Sequence, residues 1–173
     1  DVYKRQGFNG LVSFSGLTWR QVVVMRAYCR FLRQAGIPFS DHYMVETLCG
    51  HARITRDLID LFGEMFDPGR QGGKLKTGTL RRKINAALDA VKNVDEDRIL
   101  RRFLNLLEST LRTNFYQPDD TGDPKTYVSF KFDSANIIDL PLPRPMREIF
   151  VYSPRMEGVH LRGGLVARGG IRW

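Results

Sequence analysis

The stretch "TYVSFKFD", Thr126–Asp133, separates two kinds of sequence in this chain. Apolar Val128, Phe130 and Phe132 alternate with more polar neighbours, and this period is typical of a strand with one buried face. Before the stretch, apolar residues recur three and four positions apart, which is the period of amphipathic helices. The sequence therefore predicts an α+β fold: a multi-helix region followed by the first strands of an incomplete α/β domain.

Five helices are expected before this strand. Thr18 and Gln21 have the spacing of a capping box, which predicts a first helix that begins at Thr18 and that Gly36 ends. Ser40 or Asp41 can cap the second. The apolar faces of the third, fourth and fifth helices are predicted to be Ile54, Leu58, Leu61, Phe62 and Met65; Leu80, Ile84, Ala87, Leu88 and Val91; and Ile99, Phe103, Leu106, Leu107 and Leu111.

Two details of this helical region are predicted from local signals. Asp95 is expected to cap the fifth helix and Arg112 to lie in its last turn, an arrangement that suits the helix dipole. The segment "DPGRQGGKLKTG", residues 67–78, is rich in glycine and basic residues and is predicted to be a surface loop. It resembles a phosphate-binding loop only faintly, because neither the glycine spacing nor a preceding strand is present.

The turn-rich segment "QPDDTGDPK", residues 117–125, marks the expected boundary between a domain 1–120 and a domain 121–173. In "LPLPRP", residues 140–145, proline occupies every second position, which predicts an extended connector outside any central strand. The segments "REIFVYS" and "GVHLR" are predicted to be strands. Gly163–Gly164 is expected to turn the chain into a further strand, "LVAR".

The composition excludes several classes of protein. Of the 173 residues, 42% are hydrophobic and 27% charged, which is typical of a packed domain rather than a disordered chain. No apolar run is long enough to cross a bilayer, and no secretory signal is recognisable. Cys29 and Cys49 are predicted to be buried thiols in a reducing compartment. Both ends look truncated, so we expect a segment of a longer protein.

Two chemical hypotheses receive little support from the residues. Cys29, His42, Cys49 and His51 lack the usual spacing of zinc ligands, so no metal site is expected. The segment "RILRRFLNLLESTLR", residues 98–112, is basic on its polar face, and the net charge is +8. Its aromatic residues fall on the apolar stripe, which favours a solvated basic face over a nucleic-acid site.

The segment "GGLVARGGIRW", residues 163–173, leaves two interpretations open. Gly169 and Gly170 are flanked by Arg168 and Arg172. One interpretation is a hairpin with a glycine bulge. The other is a backbone cradle between two cations for an anionic ligand, since a guanidinium matches a carboxylate.

Three long segments carry a resemblance to one family. "LPLPRPMREIFVYSPRMEGVHLRGGLVARGGIRW" resembles the stretch that leads into the catalytic domain of the large-subunit, NAD-specific glutamate dehydrogenases of bacteria. "GLTWRQVVVMRAYCRFLRQAGIPFS" and "DEDRILRRFLNLLESTLRTNFYQ" resemble the helical region before that domain. The resemblance covers nearly the whole chain from about Gly16, in several long runs that match in order.

The resemblance implies an oxidoreductase that converts L-glutamate to 2-oxoglutarate and ammonium and passes a hydride to NAD. Arg168, Gly169, Gly170 and Arg172 match the family's substrate-binding Lys-Gly-Gly-x-Arg segment, with Arg168 in place of the lysine and Arg172 either substrate-binding or structural. It further implies a cytoplasmic homo-oligomer, while the residue patterns described above predict no metal, nucleic acid or membrane as a partner.

No catalytic residue is assigned within the chain. The two lysines that the family places further on are missing, and so is a Gly-x-Gly-x-x-Gly unit for NAD. The 173 residues alone are therefore expected to be inactive. The alternatives are a basic helical binding or assembly module without catalysis, and a helical region that regulates or assembles the enzyme.

Overall fold

The computed structural model describes residues 2–70, 73–163 and 166–172. The described part of the chain divides into two compact units, residues 1–104 and 105–173. Its secondary structure confirms the α+β prediction: six α-helices come first, and a five-stranded sheet follows. The helices are α1 Val2–Ser15, α2 Trp19–Gln34, α3 Asp41–Gly50, α4 Ala52–Phe66, α5 Gly73–Asp89 and α6 Val94–Ser109.

Side-chain caps set the helix starts in the first unit. Thr18 Oγ1 accepts from the Gln21 backbone N–H at 3.2 Å and the Gln21 side chain accepts from the Thr18 backbone N–H at 2.9 Å, which confirms the capping box. Ser40 caps α3 through the Tyr43 N–H, at 3.1 Å. At α6 the predicted cap is wrong. Asn93 Oδ1, not Asp95, accepts the free N–H groups of Asp95 and Glu96.

Three further helix predictions need correction. Helix α1 was not expected, because glycines at positions 7 and 10 disfavour a helix. The predicted loop 67–78 is helical from Gly73, since α5 packs along α4 and buries Thr77, Ile84 and Leu88. Leu111 and Arg112 do not belong to α6, because the chain leaves the helix at Ser109 and pairs as a strand, which leaves Leu111 43% exposed.

The strands of the second unit form one antiparallel meander. They are β1 Thr110–Thr113, β2 Val128–Asp133, β3 Arg147–Tyr152, β4 Glu157–Gly163 and β5 Val166–Arg172, in the spatial order β1-β2-β3-β4-β5. β1 and β5 are therefore the edge strands of the described sheet. A 3₁₀ turn, Ser134–Asn136, follows β2 and packs beside β3.

One face of β2 and β3 is buried. Val128, Phe130 and Phe132 lie opposite Tyr152, Phe150 and Glu148 respectively, and all six side chains are buried. This confirms the alternation predicted for β2. The proline-rich segment 140–145 lies outside the strands, as predicted. Asn105 holds the residues just before that segment in place. Its side chain donates to the Asn136 carbonyl at 2.8 Å and accepts from the Ile138 N–H at 2.9 Å.

Candidate functional site

The glycine pair of the candidate site lies in β5, which pairs with β4 in an unbroken antiparallel register. Gly169 lies opposite His160 and Gly170 opposite Val159, with Arg168 opposite Leu161 and Arg172 opposite Glu157. The hairpin interpretation is thus confirmed, while the glycine bulge is wrong because the register does not shift. The predicted turn at Gly163–Gly164 lies partly outside the described residues.

The two glycines differ in what surrounds them. A Cβ added at Gly169 would lie 2.8 Å from the Val159 carbonyl oxygen, closer than real Cβ atoms approach a backbone. The hairpin itself therefore requires glycine at position 169. At Gly170 no atom of the described residues lies within 4 Å of an added Cβ. Since Gly170 is exposed and has no positive φ, neither packing nor strain in the described strands explains its missing side chain.

A buried carboxyl lies in the same row of the sheet as Arg168. This row joins Phe132, Glu148, Leu161 and Arg168 from β2 to β5, each opposite the next. Glu148 is only 6% exposed, and its Oε2 is buried without a hydrogen-bond partner. Burial raises the pKa of Glu148 to about 7.

The sequence did not reveal Glu148. In "REIFVY" the buried set Glu148, Phe150 and Tyr152 alternates with Ile149 and Val151, so both faces of the strand are rich in apolar residues. Only the register with β2 shows that the glutamate lies on the buried face.

The residues of the metal hypothesis have separate surroundings. His51 Nε2 lies 2.7 Å from Glu96 Oε2, and His42 Nε2 lies 3.2 Å from Glu46 Oε1. Cys29 is buried as predicted, but Cys49 is only half-buried, and its Sγ donates to the Gly7 carbonyl at 3.8 Å. Burial first, and the Glu46 carboxylate second, raise the pKa of the Cys49 thiol. The described residues contain no group of three potential metal ligands.

The basic face of α6 is partly occupied by ion pairs within the first unit. Arg101 donates to the carboxylates of Asp97 and Asp89 at 2.8 and 2.9 Å. Arg98 lies over the Phe39 ring, 5.8 Å from its centroid. The sequence favoured a solvated basic face on this helix and did not predict these ion pairs. None of the described helices combines the length and the apolar character that crossing a bilayer requires.

Comparison with known families agrees with the resemblance carried by the sequence. Residues 83–173 match the model of the bacterial NAD-glutamate dehydrogenase catalytic domain, and residues 4–68 match helical motif 3 of glutamate dehydrogenases. The first match covers more than half of the chain. The chain therefore belongs to the bacterial NAD-glutamate dehydrogenase family.

Individual relatives support the same assignment over nearly all of the chain. It is 49% identical to the NAD-specific glutamate dehydrogenase of Pseudomonas aeruginosa over 98% of its residues. It is 46% identical to the protein of that name from Mycobacterium tuberculosis and 45% to that from Halomonas elongata, over 96% of its residues in each case. The chain spans 10–11% of the length of these relatives.

Proposed function

We propose that the chain is part of an NAD-dependent glutamate dehydrogenase that converts L-glutamate to 2-oxoglutarate and ammonium, with hydride transfer to NAD. Its family membership and its three bacterial relatives support this activity. The helical region, 1–120, would lead into the catalytic domain, whose family model already matches from residue 83, and residues 121–173 would begin its substrate-binding part. We expect the whole enzyme to be a cytoplasmic homo-oligomer.

The exposed backbone at Gly170 is the observation that carries the site assignment. Nothing in the described strands requires a glycine there, so the open space beside it is available to a substrate. Arg168 would hold a glutamate carboxylate, because a guanidinium can donate two parallel hydrogen bonds to one carboxylate. Gly169 would serve the pocket indirectly, by keeping β5 close to β4.

Arg172 is proposed to have a structural role as well as, or instead of, a role in binding. Its Cα lies directly opposite that of Glu157, a buried acidic residue of β4. Opposite charges at directly opposed positions stabilise antiparallel strands by about 0.2–1 kcal/mol. Arg172 would therefore help to fix the end of the hairpin that presents Gly170.

The NAD site is proposed to lie elsewhere in the whole protein. The 173 residues contain no Gly-x-Gly-x-x-Gly unit, so they do not provide the usual turn for a dinucleotide pyrophosphate. When bound there, NAD would supply the hydride acceptor. The residues of this chain would bind and orient the substrate.

The activity is tested with the protein encoded by the complete reading frame that contains these residues. Glutamate-dependent reduction of NAD, followed by the absorbance of NADH, is expected for that protein and not for residues 1–173 alone. A full-length protein that folds but reduces no NAD would refute the proposed activity. In that case, binding of the chain to nucleic acid that falls steeply with salt would favour the basic helical module.

The glycine pair provides a test of the site with a matched control. Gly170→Ala is expected to leave the stability of the full-length enzyme unchanged or slightly raised, because alanine restricts the unfolded chain. Its KM for glutamate should rise about tenfold or more, since the methyl group enters the space kept for the substrate. Gly169→Ala should instead destabilise the hairpin. An unchanged KM for Gly170→Ala would contradict the cradle.

A further inference from the structure

Glu148 has an environment that a structural glutamate rarely has. Its neighbours across the strands are Phe132 and Leu161, and no described residue hydrogen-bonds its buried Oε2. The buried Oε2 of Glu64 also lacks a partner, but the other oxygen of that carboxylate is paired with Lys76 and Arg70. Burying a carboxylate without a partner is costly, and a leucine or glutamine would fill the position at lower cost. Buried unsatisfied groups of this kind require an explanation, and active sites are where they cluster.

The charged residues next to Phe132 and Leu161, on the strands beside Glu148, lie on the opposite face of the sheet from it. On β2, Lys131 and Asp133 flank Phe132, and Arg147 of β3 donates to the Asp133 carboxylate at 2.8 Å. The 3₁₀ turn beside β3 brings Ser134 and Asn136, which are neutral. On β4, His160 and Arg162 flank Leu161. Successive residues of a strand point to opposite faces, so these flanking positions do not lie on the Glu148 row.

Within the Glu148 row, the residue of interest is Arg168. Two strand spacings separate the Cα atoms of Glu148 and Arg168, which is about 10 Å. At that separation, and with the effective dielectric of protein interiors, a unit charge changes the affinity for a charged ligand by about tenfold. The charge on Glu148 is thus close enough to alter how a carboxylate is held at Arg168.

We propose that Glu148 is a positioning residue for the substrate pocket: its neutral form leaves Arg168 free to hold a carboxylate, and its ionised form weakens that hold. The proposal rests on the proposed function and adds a pH control to the same site. Because burial raises the pKa of Glu148 to about 7, Arg168 is expected to change from strong to weak binding of the substrate carboxylate near neutral pH. Binding of an anionic substrate would in turn favour the protonated carboxyl.

The test compares three full-length enzymes: the wild type, Glu148→Gln and the control Asp120→Asn. Asp120 is an exposed acidic residue of the second unit, outside the row, so its variant undergoes the same chemical change without the proposed effect. The KM for glutamate is measured from pH 6 to 8.5. In the wild type and in Asp120→Asn, KM should rise as the pH increases, and in Glu148→Gln this rise should be absent. At pH 8.5 the KM of Glu148→Gln should therefore be about tenfold lower than that of the wild type.

Two results would overturn the proposal. One is an active wild type whose KM profile is the same as that of Glu148→Gln. The other, which needs no variant, is wild-type enzyme that takes up no protons when 2-oxoglutarate binds at pH 7 without cofactor, measured by calorimetry in buffers of different ionisation heat. An inactive wild type would instead refute the proposed function, and the inference that rests on it.

Discussion

Two buried carboxyl groups of the helical unit and one of the sheet unit, Glu148, have opposite surroundings. In the helical unit, Glu64 is 1% exposed and lies 2.7 Å from Lys76 Nζ and 3.1 Å from Arg70 Nη1, and Asp57 is 6% exposed and lies 2.6 Å from Lys83 Nζ. In the sheet unit, Glu148 is also buried, its Oε2 has no hydrogen-bond partner, and no described cation is paired with it. Hydrogen bonds from Lys76, opposed by burial and reinforced by Arg70, lower the pKa of Glu64, whereas burial raises that of Glu148.

The difference indicates that the buried carboxylates of the helical unit contribute to its stability. The three cations in these pairs are Arg70, which follows α4, and Lys76 and Lys83 of α5. Since both carboxylates belong to α4, each pair also holds α5 or the segment before it against α4. The glycine at position 63 makes room for this arrangement, since an added Cβ would lie 2.8 Å from Arg70 Cζ. The sheet unit keeps an uncompensated group in the row that contains Arg168, which is typical of a site rather than a core.

The largest effect is expected from removing a partner in the helical unit. Lys83→Met keeps the aliphatic stem and leaves the Asp57 carboxylate buried without its cation. Because Lys83 itself is 56% exposed and water screens the pair, the free energy of unfolding should fall by up to about 3 kcal/mol, less than for a fully buried pair. Urea unfolding measures this loss. Lys74→Met, an exposed change on the same helix, is the control. Equal stability of the two variants would remove the contrast between the units.

An effect of similar size and opposite sign is expected at Glu148. Its folded pKa of about 7 lies above the usual value of 4.5, so the folded state holds the proton more tightly and the stability of the wild type falls as pH rises from about 4.5 to 7. Glu148→Gln should therefore gain up to about 3 kcal/mol relative to the wild type at pH 8 and little at pH 4. Amide exchange in β3 at the two pH values measures the gain, and a difference that does not depend on pH would contradict it.

Glu64 should show the reverse pH dependence. Because its pKa is lowered, its contribution to stability is present above pH 4.5 and is lost as pH falls through its folded pKa. Glu64→Gln should therefore be less stable than the wild type at neutral pH and approach it under acid conditions. Thermal unfolding from pH 2 to 7 follows this convergence.

The smallest effect is expected at an exposed pair. Asp89 is largely exposed and lies 2.9 Å from Arg101 Nη2. Asp89→Asn should lower the free energy of unfolding by less than about 0.5 kcal/mol, because exposed ion pairs contribute little. Urea unfolding in low and high salt measures it. A loss as large as that of Lys83→Met would mean that pairing, rather than burial, sets the size of these effects.

Local patterns predicted much of this fold. The capping box at Thr18, the alternation of β2 and the strands on either side of residues 153–156 were all available from spacing alone. The start of α5 was not, since its glycines disfavour a helix and only the Glu64 and Asp57 pairs with its lysines, together with burial against α4, outweigh that preference. The end of α6 was missed for a similar reason, because strand pairing with β2 replaces the last helical turn.

The candidate site was predictable only in part. The glycines and arginines of β5 were singled out from the residues themselves, the resemblance matched them to the family's substrate-binding segment, and their roles remain proposals. What the sequence could not show is which glycine the hairpin requires, because that depends on the distance from Gly169 to the Val159 carbonyl. The row that joins Glu148 to Arg168 depends on two strand registers, which no spacing along the chain determines.

The strand order of the sheet also bears on how the protein is made. Each of the strands β2 to β5 pairs with the strand that precedes it in the chain, so every strand meets a partner that the ribosome has already released. Such an order keeps each pairing local and allows the sheet to grow as synthesis proceeds. Arg168 and Gly170, on β5, would then be added to strands that have already paired.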